Sequence, residues 1–473
     1  MIAGLKPYPQ YQHTGHDWLG SLPSHWELQR AKRLFREVDE RSRTGKEELL
    51  SVSHLTGVTP RRLKNVTMFM AESNVGHKIC RPGDLVINTL WAWVAALGVA
   101  RHMGIVSPAY GVYRPTEGSG ILPAYADHLL RTSMYAAEYQ RRSTGVNSSR
   151  LRLYPEQFLR IPVMVPPLDE QVAIVRFLDW ANGRLERAIR AKRKVIALLT
   201  EQKHTLIQRA VAGGLDASVP LISSSNPWLG SIPGHWGFLQ VRRVAAFVTS
   251  GSRGWASFYS EHGLIFLQSG NLGRSMSLNL SHIQYVRPPI GAEGERTRVR
   301  TDDILVCITG ALTGNVAIVD RELPADAFVN QHVALVRPAE GVIAPRFLAY
   351  VLHSNVGQAQ FKTNEYGGTK QGLGLGDVKS VLVPVPPPQE QMAICAHLDA
   401  EVARFSEATI HLEREIELLR EYRKRLVADV VTGKLDVREA AASLPDDVQA
   451  GIDTVSTDEA DDSELIDEEA TEA

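Results

Sequence analysis

Two stretches of the chain place apolar residues at alternating three- and four-residue steps, which is the spacing of a coiled-coil seam. Every position of the second stretch lies 220 residues after its counterpart in the first, so both stretches keep one frame. The pattern predicts two long helices packed against each other as an antiparallel coiled coil, with loose helical bundling as the alternative. The seams are Leu185, Ile189, Lys192, Ile196, Leu199, Lys203, Leu206 and Ala210 in the first stretch, and Phe405, Thr409, Leu412, Ile416, Leu419, Arg423, Leu426 and Val430 in the second.

Residues that helices avoid mark the ends of both predicted helices. Pro166-Pro167 and Pro386-Pro387-Pro388 cannot lie inside a helix and come just before each start. Gly213-Gly214 and Gly433 mark the ends. An unbroken first helix would be roughly 66 Å long at about 1.5 Å per residue, although "DWANGR" at 179–184 is a candidate interruption.

The two helices belong to a unit of about 200 residues that the chain contains twice. "DWLGSLPSHW" at 17–26 returns as "PWLGSIPGHW" at 227–236, and "VMVPPLDEQVAIVRFLD" at 163–179 aligns with "VPVPPPQEQMAICAHLD" at 383–399. Each unit therefore runs from a Trp-rich turn to a long helix. We expect the tryptophans of these turns to be packing anchors.

The bodies between the turns and the helices, at about 27–165 and 237–385, combine strand-like and helix-like runs. Strands are predicted in "GDLVINTL" (83–90), "GLIFLQSG" (263–270), "DILVCITG" (303–310) and "FVNQHVALVRP" (328–338), and a helix in "APRFLAYVLHS" (344–354). The apolar run "WAWVAALGVA" at 91–100 is too short to span a membrane and predicts a buried strand or a short core helix. The fold class expected is α+β, as two α+β domains in pseudo-twofold tandem repeat.

Charge is distributed unevenly along the chain. The formal net charge is −1, but the segment from Pro445 to Ala473 holds 12 acidic and no basic residues, so residues 1–444 carry +11. A basic body suggests a polyanionic partner, and the acidic tail at 437–473 is expected to be disordered. Three isolated cysteines form no CxxC pair, and the N-terminal residues lack a signal-peptide pattern, so we expect a cytoplasmic protein without a membrane partner.

The sequence contains no recognisable catalytic motif and no metal-ligand spacing. Nucleotide-binding GxxxxGK[ST] and zinc-binding HExxH are absent, which argues against an enzyme acting alone. Each body does contain loops that combine Arg and Lys with Ser, Thr, Asn and Gly, a composition suited to phosphates and base edges. The predicted DNA-contacting residues are Arg61, Arg62, Lys64, Arg141, Arg142, Thr144, Asn147 and Arg150 in the first body, and Ser252, Arg253, Tyr259, Asn271, Arg274, Lys362, Thr369 and Lys370 in the second.

The doubled WxGxIPxHW turn, PPxxEQxxI helix start and TGxxD helix end resemble the specificity (S) subunit of type I restriction-modification systems. The resemblance covers residues 17–436 and implies a DNA sequence-recognition subunit that is not itself an enzyme. It implies an N-terminal extension (1–16), target recognition domains at 17–167 and 217–387, spacer helices at 168–216 and 388–436, and the acidic tail. Each recognition domain would read one half of a split double-stranded DNA sequence.

The same resemblance implies the partners. Two modification (M) subunits would dock on the spacer helices, and restriction/motor (R) subunits would join them. S-adenosylmethionine, ATP and Mg would be bound by those subunits, and this chain would hold no cofactor. The residues expected in the spacer and in docking are Glu170, Gln171, Leu185, Ile189, Ile196, Leu199, Leu206, Glu390, Gln391, Phe405, Leu412, Ile416, Leu419 and Leu426.

Two other interpretations of the sequence stay open. The chain could be an S-like targeting subunit of a methyltransferase-only complex or another defence complex, which neighbouring genes would reveal. It could instead be a coiled-coil scaffold that binds proteins, although the basic body and the paired polar loops weigh against this interpretation.

Overall fold

The structure is a computed structural model, which describes residues 5–64, 73–145, 151–251, 253–273, 275–287, 291–365 and 372–445. The chain forms two compact units. Unit 1 comprises residues 1–192 and 414–473, and unit 2 comprises residues 193–413.

The described chain contains both α-helices and β-strands. The α-helices are α1 Ala31–Leu34, α2 Pro123–Leu130, α3 Ser133–Arg142, α4 Pro155–Phe158, α5 Leu168–Gly213, α6 Val241–Val244, α7 Ala292–Thr297, α8 Pro345–His353, α9 Asn355–Asn364, α10 Leu375–Ser380, α11 Pro388–Val431 and α12 Arg438–Ala442. The strands are β1 Tyr11–His13, β2 Ser21–Pro23, β3 Glu27–Arg30, β4 Phe35–Glu37, β5 Leu50–Ser53, β6 Gly57–Pro60, β7 Lys78–Cys80, β8 Leu85–Ile87, β9 Leu97–Val99, β10 Gly104–Val106, β11 Gly111–Pro115, β12 Pro162–Val165, β13 Leu221–Ser223, β14 Ser231–Pro233, β15 Gly237–Gln240, β16 Ala245–Ser250, β17 Tyr259–Ser260, β18 Leu264–Leu267, β19 Gln284–Val286, β20 Ile304–Cys307, β21 Val316–Ile318, β22 Ala327–Val329, β23 Val333–Pro338 and β24 Leu382–Val385.

Each unit is built around a four-stranded antiparallel sheet of the same connectivity. In unit 1 the strand order is β4-β11-β8-β9, and in unit 2 it is β16-β23-β20-β21. Two-stranded pairs flank both sheets at matching places, β3 with β12 in unit 1 and β15 with β24 in unit 2. Both units mix helices with antiparallel strands, so the predicted α+β fold class with a long helix after the first sheet-rich domain is confirmed.

Unit 2 contains a second four-stranded sheet, of order β17-β19-β18-β22, in which β18 and β22 run parallel. Its core includes the stacked rings of Trp255 and Phe266, whose centroids are 5.7 Å apart. At the matching place unit 1 has the hairpin of β5 and β6 and the pair of β7 and β10. The two bodies therefore share one sheet and differ in what is inserted beside it.

The helices α5 and α11 have 46 and 44 residues and run without a break. The candidate interruption at 179–184 is thus wrong: Asn182 and Gly183 are tolerated inside the helix because neighbouring turns pack against the unit 1 core. None of the sixteen predicted seam positions is exposed, and Ile189, Ala210, Ile416, Leu426 and Val430 are buried.

Two charged seam residues are paired across the helices within unit 1. Arg423 Nη1 lies 3.1 Å from Glu186 Oε2, and Lys192 Nζ donates to Glu415. The order of these pairs along the chain shows that α5 and α11 run antiparallel in this unit. The sequence 220 residues away has Ser406 in place of Glu186, so the first ion pair has no counterpart of the same kind at the repeated position.

A left-handed glycine ends each long helix against a Trp-rich turn. Gly433, with φ of 74°, approaches Pro23 and Trp26 in unit 1, and Gly214, also with φ of 74°, approaches Trp236 in unit 2. A Cβ atom on Gly433 would lie 2.5 Å from Pro23, which leaves no room for any other residue. Sequence alignment pairs Gly433 with Gly213, but α5 continues through Gly213 and uses the next glycine. Trp26 and Trp236 are 1% and 5% exposed, as expected for packing anchors.

Candidate nucleic-acid interface

In unit 1, the edge of the central sheet at which β8 ends gathers polar and aromatic side chains from four segments. The end of β8 continues into Asn88 and Thr89, whose side chains donate to Tyr110 Oη at 3.1 Å and to Ala109 O at 2.9 Å. The loop before the Pro-Pro motif reaches the same edge, where Leu153 N donates to Thr89 O at 3.0 Å. We call the segments 88–96, 107–110, 144–145 and 151–154 edge 1.

Edge 1 has a strongly aromatic composition. Trp91 and Trp93 stack with ring centroids 5.9 Å apart, and both are half-buried. The Arg152 guanidinium lies 5.4 Å from the centre of the Tyr154 ring, which is 41% exposed. Aromatic and Arg planes of this kind stack on bases, and Arg also neutralises phosphates.

In unit 2, the equivalent edge is polar. The end of β20 continues into Ile308 and Thr309, and Leu373 N donates to Ile308 O at 2.9 Å, which repeats the Leu153 contact of unit 1. Ile308 N in turn donates to His332 O at 2.9 Å. Gln358 of α9 donates to Gly314 O at 2.9 Å, so α9 joins the same edge. We call the segments 249–251, 308–314, 330–332, 358–362 and 372–373 edge 2.

The side chains at the start of edge 2 are held by α7. Arg296 donates to Ser250 O at 2.9 Å and also to Thr249 Oγ1. Gly251 N donates to Asn330 O at 3.1 Å. A Cβ atom on Gly251 would lie 1.9 Å from Val329 O, so only glycine permits this approach of two backbones.

Several residues predicted to contact DNA lie at these edges. Thr144 is exposed and pairs with Arg152 through backbone hydrogen bonds, with the Thr144 N–Arg152 O distance being 3.1 Å. Lys362 is exposed on α9, and Arg253 is exposed two residues after Gly251. Asn147, Arg150, Ser252, Arg274, Thr369 and Lys370 lie outside the described residues.

Arg141 and Arg142 at the end of α3 share a buried carboxylate. Both donate to Glu138, which is 2% exposed. Burial raises the pKa of Glu138, but the hydrogen bonds from the two arginines outweigh it and leave the pKa lowered. Arg141 is 65% exposed and Arg142 only 20%, so Arg141 is the better placed of the two to reach a phosphate.

The remaining predicted contacts are placed elsewhere. Arg61, Arg62 and Lys64 follow β6, where Arg62 pairs with Glu48 at 2.7 Å. Tyr259 is 45% exposed and accepts a hydrogen bond from Gln268. Asn271 is 7% exposed, and its amide donates to Asn279 O and His282 O at 2.9 Å. A side chain engaged in this way holds a turn and is not free to reach a base, so the expectation for Asn271 is corrected here.

The doubled Glu-Gln pairs at the helix starts bind groups of their own bodies. Glu170 accepts hydrogen bonds from Trp26 Nε1 at 3.0 Å and His25 Nε2 at 2.8 Å, and also from Tyr8. Gln171 accepts from Leu122 N at 2.7 Å and donates to Pro166 O at 2.8 Å.

Unit 2 repeats these contacts. Glu390 binds Trp236 Nε1 at 2.9 Å and His235 Nε2 at 2.7 Å, and Gln391 accepts from Ala344 N at 2.7 Å. Both glutamines are buried, so these pairs fasten each helix to its own body.

The structure offers little to reactive chemistry in the part of the chain that it describes. No group of three or more His, Cys, Asp or Glu residues there could hold a metal ion. Burial raises the pKa of the Cys80 thiol and of the Cys395 thiol to about 12, which leaves both thiols protonated at neutral pH. Among the described helices, none is both long and apolar enough to cross a bilayer.

Comparison with known proteins gives a consistent result. The family model described as the type I restriction modification DNA specificity domain matches residues 292–418, which contain β20 to β24 and much of α11. Residues 292–418 of this chain are therefore similar to that specificity domain.

Curated specificity subunits align with different shares of the chain. The EcoBI specificity subunit of Escherichia coli is 30% identical over 26% of this chain and 25% of its own length, so the aligned region spans about a quarter of that relative. The MjaX specificity subunit of Methanocaldococcus jannaschii is 24% identical over 69% of this chain and 71% of its own length. A chain solved in a study of complex assembly and conformational transition of the type I R-M system superposes on this chain with a TM-score of 0.63 and 18% sequence identity. The superposition covers 88% of this chain and 99% of the solved chain. This likeness shows that the fold is shared.

Sequence reasoning missed the aromatic pair of edge 1 and the Asn330–His332 turn of edge 2. The run "WAWVAALGVA" predicts a buried strand or a short core helix, and the structure has a 3-10 turn at Ala92–Val94 and a strand at Leu97–Val99, but both tryptophan rings stay partly accessible. The run "FVNQHVALVRP" predicts one strand, but the structure divides it into β22 and β23. Three consecutive polar residues within an apolar run were the available signal for that turn.

Proposed function

We propose that this chain is the DNA sequence-recognition subunit of a type I restriction-modification complex, in which each unit reads one half of a bipartite double-stranded site. The proposal rests on one observation above all. The same edge of the same sheet gathers side chains on matching backbone contacts in both units, but these side chains are polar and aromatic in unit 1 and polar in unit 2. Two DNA-reading units that share one backbone arrangement but present different side chains suit a DNA site with two different halves.

The relatives support this assignment because their printed names are those of specificity subunits, and the matched family model describes a DNA specificity domain. A specificity subunit is non-catalytic, and its complex with other subunits performs the reaction. We propose that two modification subunits dock on α5 and α11, bind S-adenosylmethionine and methylate adenine. Restriction subunits would add ATP- and Mg-dependent cleavage of unmodified DNA. The scaffold interpretation is not favoured, since the family match itself concerns DNA recognition.

The deciding experiment expresses this chain with its modification subunit in a host that lacks DNA methylation. Sequencing that detects modified bases is expected to reveal a split, asymmetric motif with one methylated adenine in each half. A chimaera that replaces residues 27–165 with the corresponding body of another specificity subunit is expected to change only one half of that motif. A motif that changes in both halves, or in neither, contradicts one reader per unit.

If no motif appears although both subunits are soluble and associated, the recognition function itself fails. The chimaera must also be shown to associate with the modification subunit, since a chimaera that no longer assembles would lose the whole motif for an unrelated reason. The unmodified chain, expressed and sequenced in parallel, is the control for host background.

A further inference from the structure

The turn between β22 and β23 presents two adjacent polar side chains at edge 2. Asn330, Gln331 and His332 form this turn, and both Gln331 and His332 are half-buried, with part of each side chain accessible. The turn lies beside the Gly251 segment on one side and the Ile308 segment on the other. It therefore occupies the centre of the candidate interface of unit 2.

The backbone of this turn is fixed before any ligand binds. Asn330 is 8% exposed, and its side-chain Oδ1 accepts a hydrogen bond from His332 N at 3.0 Å. Asn330 N donates to Leu267 O at 2.9 Å, which ties the turn to the second sheet. Together with the close approach of Gly251, these contacts hold Gln331 and His332 at one position, and a fixed position is what base readout requires.

The side chains of Gln331 and His332 bind each other, with 3.1 Å between Gln331 Nε2 and His332 Nε2. An amide nitrogen can only donate, so Nε2 of His332 is the acceptor of this bond. One N–H and the Oε1 atom of Gln331 stay available. A side chain that offers one donor and one acceptor matches the N7 and N6 groups of adenine in the major groove, whereas guanine offers two acceptors there.

We propose that Gln331 reads an adenine in the half-site bound by unit 2, and that His332 is a positioning residue that orients the Gln331 amide. This inference rests on the proposed function and goes beyond it by naming a base and the residue that reads it. The exposed cations Arg253 and Lys362 lie on segments that reach the same edge, where they suit the flanking phosphates.

The test measures base preference of the full chain assembled with its modification subunit, by competition among DNA duplexes that vary one base pair at a time. In the wild-type complex, changing the adenine read by Gln331 is expected to cost roughly 5- to 150-fold in affinity. Gln331→Ala should abolish that preference at one position of one half-site and leave the other positions unchanged. Gln331→Glu presents only acceptors, so the preferred base at that position should change to cytosine.

His332→Ala should weaken the adenine preference without changing its position, since the amide stays present but loses its orientation. Gln240→Ala, at a glutamine of the same unit that ends β15, is half-buried like Gln331 and lies outside edge 2, is the matched control and should leave every preference unchanged. Thermal unfolding of each variant checks that unit 2 stays folded. If Gln331→Ala does not fold, Gln331→Glu, which keeps the size of the side chain, still tests the proposal through the change of preferred base.

Equal loss of affinity for every duplex on Gln331→Ala would overturn the proposal, because it would indicate a phosphate contact. Loss of preference at a base pair other than adenine–thymine would also overturn it. A wild-type complex with no preference at any position would refute the proposed function instead, so the two failures are distinguishable.

Discussion

Trp26 donates its indole N–H to Glu170 over 3.0 Å, although 144 residues separate them, and Trp236 makes the same bond to Glu390 over 2.9 Å. The repeated His-Trp and Glu-Gln motifs are therefore two halves of one contact, which fastens the start of a long helix to the start of its body. The chain contains both motifs twice because each body needs its own attachment to its own helix. The two attachments differ in burial, since the Glu170 side chain is 3% exposed and that of Glu390 is 42% exposed.

This difference predicts unequal effects of removing the two carboxylates. Glu170→Ala leaves the indole of Trp26 and the hydroxyl of Tyr8 without a hydrogen-bond acceptor in a buried site. Each unsatisfied group is expected to lower the free energy of unfolding by about 1 to 3 kcal/mol. Glu390→Ala exposes its partners to water and is expected to cost about 1 kcal/mol or less. Denaturant unfolding of both variants measures the difference in the free energy of unfolding, and equal losses would show that burial of Glu170 is not the deciding factor.

The antiparallel register within unit 1 is expected to depend on the ion pair between Glu186 and Arg423, whose side chains are 19% and 25% exposed. Glu186→Arg should destabilise the helix pair, because two guanidinium groups then face each other. Adding Arg423→Glu restores opposite charges and should recover most of the loss. A double-mutant cycle in denaturant is expected to give a coupling energy of about 1 kcal/mol.

The pair of Arg414 and Glu417, which lies on the outer surface of α11 with side chains 68% and 64% exposed, is a suitable control for that cycle. Its coupling energy should be smaller, since exposed pairs are screened by water and salt. A coupling energy of the same size in both pairs would show that the interhelical position adds nothing.

The long helices were largely predictable from sequence, whereas the interface was not, and the reason is physical. The seam from Leu185 to Ala210 follows from side-chain spacing along one helix, which is a local property. The edges assemble from segments up to about 120 residues apart, such as Gly251 and Gly372, and only tertiary contacts bring these together. For the same reason Arg142 and Asn271 read as surface residues in sequence, although Glu138 and the turn carbonyls engage them inside the protein.

Stability of unit 2 is expected to fall as pH falls from about 6.5 to about 4, because of His353. Burial, followed by the charges of His204 and Lys203, lowers the pKa of His353 from 6.5 to about 4. In that range the unfolded chain binds a proton that the folded chain does not, so unfolding is favoured as pH decreases. His353→Gln should flatten the dependence of the unfolding midpoint on pH over this window.

His411 is the matched control for this measurement, because its side chain is 76% exposed. His411→Gln should leave the pH dependence as it is in the unchanged chain. If His353→Gln retains the full slope between pH 4 and 6.5, another group is responsible for it.

Arg253 and Lys362 are expected to contact phosphates, so each should affect DNA binding without affecting stability. Arg253→Ala or Lys362→Ala should weaken binding to all sequences alike and reduce the slope of log Kd against log salt concentration by about 1. Arg142→Ala serves as the contrast, because it removes a partner of the buried Glu138 and should lower the free energy of unfolding. Arg253→Ala that lowers stability, or that affects one base position only, would contradict a phosphate contact.

Gly251 is expected to be essential for sequence preference because it lets two backbones meet. Gly251→Ala places a Cβ atom 1.9 Å from Val329 O and 2.3 Å from the backbone of Asn330, so the Asn330–His332 turn must move. The expected result is a loss of base preference in one half-site, measured with the duplex competition described above, with the other half-site unchanged. Gly270→Ala, at a glycine with open space around it, is the control and should preserve both half-sites. A Gly251→Ala complex that keeps its preference would show that the position of this turn does not determine which base is read.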